Sequence, residues 1–133
     1  MANKKSYDQS AVKKYIDLFY MSSSEVTAKD IASLLENENG LTVELWEAMN
    51  VVELDLSNQN TIEFEPLEAS FKDPSDASFL KNRTIKTIFA VTICEDDIQI
   101  ATTYFEKIID KFSGFFCADS DDFYPVYVGT TKI

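Results

Sequence analysis

The chain has 133 residues, 23 of them acidic and 12 basic, with a net charge of -11 and no histidine. With 45% hydrophobic and 13% aromatic residues it is not a disordered acidic tail, and its length suffices for one domain with a real core. The missing histidine excludes Ser-His-Asp and Cys-His catalysis, His-bearing zinc sites and a histidine pH switch.

The three glycines stand alone, so no glycine-rich phosphate cradle exists. Residues 1–5 include a basic pair but no apolar stretch follows, and no run approaches the roughly 20 apolar residues of a membrane span. A secretory leader and a membrane partner are therefore not expected. Cys94 and Cys117 are too few for a disulfide scaffold, so a cytoplasmic location is expected, with both cysteines acting as small apolar side chains.

In chain order, Val12, Tyr15, Ile16 and Phe19 recur at helical spacing and predict a helix over 12–21. A second helix is predicted over 27–37, with Thr27 as N-cap, Asp30 completing an Asp variant of the capping box and Asn39-Gly40 ending it. A third, short helix over 42–49 would turn Leu45, Trp46 and Met49 inward. Two runs then alternate apolar and acidic residues, 52–56 and 62–65, as half-buried strands do. Leu54 and Phe64 share a face only if paired residue numbers sum to an even value, so the connecting loop has three or five residues. Either Glu53 then faces Glu63, or Asp55 faces Glu63 with Glu53 opposite Glu65. Opposed like charges cost a few tenths of a kcal/mol or more.

Asp73-Pro74-Ser75-Asp76 opens a helix through Leu80. The segment 84–93 is apolar on both faces and reads as a central strand. Glu95-Asp96-Asp97 begins the clearest helix, 97–112, with Ile98, Ala101, Phe105, Ile108 and Phe112 in its stripe. Strands over 115–118 and 124–128 close the chain, and Pro125 favours an edge position for the last. The expected fold class is α+β. An N-terminal helical segment of two to three helices (1–50) is followed by a mostly antiparallel sheet of about five strands, with one long helix on one face. The whole of 1–133 reads as a single domain, its second part (51–133) a β-hairpin plus a β-α-β-β unit.

Function is read from charge. Ten acids and no lysine or arginine lie between Asp30 and Phe71, leaving 13 acids against 12 bases elsewhere. The predicted helix order matches a winged helix-turn-helix, yet Glu44 and Glu47 stand where a recognition helix needs cations, so nucleic acid is not the expected partner. Asp119-Ser120-Asp121-Asp122 departs from an EF-hand at positions 5, 6 and 12. A looser Mg²⁺ or Ca²⁺ site at Asp119, Asp121 and Asp122, joined by Asp96 or Asp97, is the alternative reading, as a metal-binding protein or small metal-dependent hydrolase. Its bland counterpart is a solvated Asp-rich turn. Cys94 and Cys117 would approach each other if the strands flanking the long helix were neighbours. The principal expectation is a non-enzymatic interaction module without a cofactor. Glu44, Glu47, Glu53, Asp55, Glu63 and Glu65, helped by the 119–122 loop, would bind a basic protein, as in an inhibitor or immunity protein directed at a nucleic-acid-acting enzyme. Against it stands plain solubility, a charged face that blunts aggregation.

Overall fold

The computed structural model describes residues 13–130. The elements run β1 Tyr15–Ser22, α1 Ala28–Leu35, β2 Leu41–Trp46, β3 Val51–Leu56, β4 Thr61–Leu67, α2 Pro74–Asn82, β5 Thr87–Cys94, α3 Ile98–Phe112, β6 Phe115–Ala118 and β7 Val126–Gly129. All seven strands form one antiparallel sheet in the order β2-β3-β4-β5-β1-β6-β7.

This corrects the expected N-terminal helical segment and the sheet of about five strands. The segment predicted as a helix over 12–21 is β1, which lies between β5 and β6 in the sheet; Val12 falls outside the described residues. Leu18 and Tyr20 are buried on one face of β1 and Phe19 and Met21 on the other. A strand covered on both sides carries a continuous apolar run, from which a helical spacing can be picked by chance. The predicted third helix is β2 followed by a 3-10 turn, Glu47–Met49. There Leu41, Val43 and Leu45 alternate with Thr42, Glu44 and Trp46, and the exposed Trp46 disguises the period of two. Insertion of β1 also separates β5 from β6, so the strands flanking α3 are not neighbours. Cys94 is opposite Tyr15 and Cys117 opposite Phe19, both thiols free and buried, which removes the suggested cysteine pair.

Other elements follow local chemistry. Thr27 and Asp30 exchange both capping-box hydrogen bonds at the start of α1. Asp73 caps α2 through the Ser75 and Asp76 amides. The β3–β4 loop is the three-residue alternative, with Leu56 donating to the Asn60 carbonyl at 2.8 Å and Gln59 in the left-handed region. After α3 the chain reverses at Gly114 (φ +99°), where a Cβ would collide with the Met21 carbonyl. Tyr20 donates its hydroxyl to the Ser113 carbonyl at 2.7 Å and Ser22 donates to that of Phe112 at 2.9 Å. These bonds fasten β1 to the end of α3, and burial pushes the Tyr20 hydroxyl up to about 12.

One sheet face is covered by α1 and α3, with Val43 and Leu45 of β2 half-buried at its rim. Leu18, Tyr20, Leu54, Phe64, Val91 and Phe116 meet Ile31 and Leu35 of α1 and Phe105 and Ile108 of α3 in one apolar cluster. Phe105 stacks on Phe116 with centroids 3.9 Å apart, and Phe64 meets both edge-on. The opposite face is covered only in part. Phe19, Met21, Ile88, Phe115 and Cys117 pack under Leu80, Ile85 and Phe123, with Phe71 and Phe79 against them. Beyond that cluster, toward β2, the second face carries the acids.

Candidate docking face

Antiparallel register turns scattered acids into a line. Glu44 on β2 lies opposite Glu53 on β3, and Glu53 lies opposite Glu63 on β4. Glu63 is opposite Thr92, and Thr92 opposite Asp17 on β1. The Thr92 hydroxyl donates to the Asp17 carboxylate at 3.3 Å, and the Asp119 amide donates to the Asp17 carbonyl at 3.2 Å. A single row thus crosses five strands and ends one residue past β6, as Glu44, Glu53, Glu63, Thr92, Asp17 and Asp119. At the usual strand spacing it is about 24 Å long. Asp55 and Glu65 flank it, each two residues along its strand from a row member. Thr61 donates to Asp55 at 2.9 Å.

The row is electrostatically loaded. The oxygens of Glu44, Glu53 and Asp55 lie within 4.8 Å of one another. A hydrogen bond with Asp55 and its charge, then burial and Glu53, raise the Glu44 carboxyl above its ordinary value. Burial raises Glu53, with the charges of Glu63 and Asp55 adding to it. At the far end burial raises Asp119, helped by Asp17. Like-charge crowding favours the protonated form, as does loss of solvent. Among the described residues the ion pairs join Lys14 to Glu95, Lys29 to Glu47 and Lys107 to Glu38, and none reaches the row.

The chain matches no family model, no curated protein and no solved structure. The site is therefore read from its geometry.

Of the six predicted partner-binding residues, Glu44, Glu53 and Glu63 lie on the row, and Asp55 and Glu65 beside it. Glu47 stands apart in the 3-10 turn, 3.6 Å from Lys29. The 119–122 loop does not gather its carboxylates. Asp119 joins the row, while Asp122 accepts from the Tyr124 amide and the Ser120 hydroxyl, closing a turn. Asp97 is only 3% exposed and accepts from the side-chain amides of Asn58 at 2.9 Å and Asn60 at 2.8 Å. It locks the β3–β4 loop to the start of α3 instead of facing the 119–122 loop.

Two features were missed in the sequence. Asp17 is a lone acid in an apolar segment, and its place on the row appears only once that segment is read as a strand. Trp46 (40% exposed) and Tyr15 (49% exposed) are large aromatics on the open face, flanking the acids. No described helix is long and apolar enough to cross a membrane.

Proposed function

We propose that the open half of the sheet is a docking face for a basic protein surface. The observation that supports it most is the row itself, a rigid line of carboxylates carried on hydrogen-bonded strands with no cation of the described chain among them. Held before the partner arrives, such a line favours fast, charge-selected association and loses little entropy on binding. Trp46 and Tyr15 add what a purely solubilising face lacks, because tryptophan and tyrosine are the side chains that most often anchor interfaces. A nucleic-acid-acting enzyme with a cationic cleft suits this charge pattern, which makes the protein an inhibitor or immunity-type partner without chemistry of its own. Its place is the cytoplasm, which suits two buried free thiols.

A pull-down from native lysate at low and high salt tests the reading. A basic protein should be retained at low salt, released at high salt, and lost with Glu63→Lys. Retention that ignores both salt and Glu63→Lys would remove it.

A further inference from the structure

The row ends at β2, and β2 is an edge of the sheet. The bond from Leu56 to the Asn60 carbonyl points the backbone groups of Leu56 toward β4. By alternation those of Asp55, Glu53 and Val51 point toward β2, where Thr42, Glu44 and Trp46 are opposite them. The N–H and C=O groups of Val43 and Leu45 therefore point away from the sheet. Leu41 agrees with this phase, since its amide turns back to the Glu38 carbonyl at 3.4 Å. Among the described residues no further strand pairs with that side.

The two edges of the sheet are built differently. β7 is four residues long, follows Pro125, ends at Gly129 and shifts register against β6, all features that discourage pairing. β2 has six residues, neither proline nor lysine, and an unbroken register with β3. Its Val43 and Leu45 are half-buried at the rim of the main apolar cluster, and its Thr42, Glu44 and Trp46 are exposed on the acidic face. Charge selects what can pair there. A second copy would bring its own acidic row alongside this one, whereas a strand with cations on one face and apolar residues on the other matches both sides of β2.

We propose that β2 takes up an extended basic segment of the partner as an eighth strand. Its lysines or arginines would lie beside Glu44 on the acidic face, and its apolar residues beside Val43 and Leu45. This rests on the docking reading above and adds the mode of binding, strand addition.

A short peptide alternating lysine and valine is the probe, with its fully N-methylated form as control, titrated into the 133-residue chain. Trp46, the chain's one tryptophan, reports binding by fluorescence, and amide hydrogen exchange reports where it occurs. The unmethylated peptide should bind at least about tenfold more tightly than the control, because only it can supply the backbone hydrogen bonds. The Val43 and Leu45 amides should exchange more slowly on binding. Equal binding of both peptides with unchanged exchange at Val43 and Leu45 would overturn strand addition while leaving charge docking in place. Absence of binding, or protection at β7 instead, would overturn it as well. If a Glu53→Lys/Glu63→Lys variant binds the peptide as tightly as the wild type, the docking reading fails, and with it the charged half of this proposal.

Discussion

Glu53 is the most crowded carboxylate of the row, with Glu44 on one side, Glu63 on the other and Asp55 two residues along. Because burial and the charges of Glu63 and Asp55 raise its pKa above 4.5, the folded protein holds that proton more tightly than the unfolded chain does. Its contribution to stability is then present in full below 4.5 and is lost as pH rises through the raised value. Glu53→Gln should stabilise the free protein at neutral pH by a few tenths of a kcal/mol, measured by urea unfolding. The gain should shrink as the pH is lowered toward 4.5. The same substitution should weaken docking, and that opposition distinguishes a binding face from a solvated one. Asp97 gives the contrasting case. Its carboxylate satisfies two amide side chains in a buried setting, so Asp97→Ala should cost about 3 kcal/mol of stability. Docking by the folded fraction should be unchanged.

At the scale of elements, local chemistry was legible where the residues themselves enforce it. The Thr27–Asp30 capping box fixes the start of α1 irrespective of tertiary context, and Thr27→Ala should lower stability by about 1 kcal/mol in the same unfolding assay. The β3–β4 hairpin was legible because only one parity of register buries Leu54 and Phe64 together. The two strands read as helices show where this stops. β1 is apolar on both faces because helices α1 and α3 cover one side and the Leu80–Phe123 cluster the other, and a segment buried on two sides loses its period. β2 hid its alternation by placing Trp46 on the solvent face. Five of the six predicted docking residues lie on or beside the row. The share of Asp17 was hidden, since it depends on β1 entering the sheet between β5 and β6, and the same insertion aligns Asp119 of the expected 119–122 loop with the row.

Across the whole molecule the charge is divided by layer. One face of the sheet is sealed by α1 and α3, and the other is half sealed, leaving a line of carboxylates about 24 Å long at the usual strand spacing. Salt acts on that line in two opposing ways. Screening should raise the thermal midpoint of the free protein by easing repulsion along the row, and should lower its affinity for a basic partner. A rise in both with salt would point to an apolar interface elsewhere. The most direct measurement is carbodiimide footprinting of carboxylates in the free protein and in the complex captured from lysate. The account predicts protection of Glu44, Glu53, Glu63 and Asp17, with Asp121 and Glu106 labelled equally in both. Protection confined to Asp121 and Asp122 or to α3, with the row fully labelled in the complex, would contradict it.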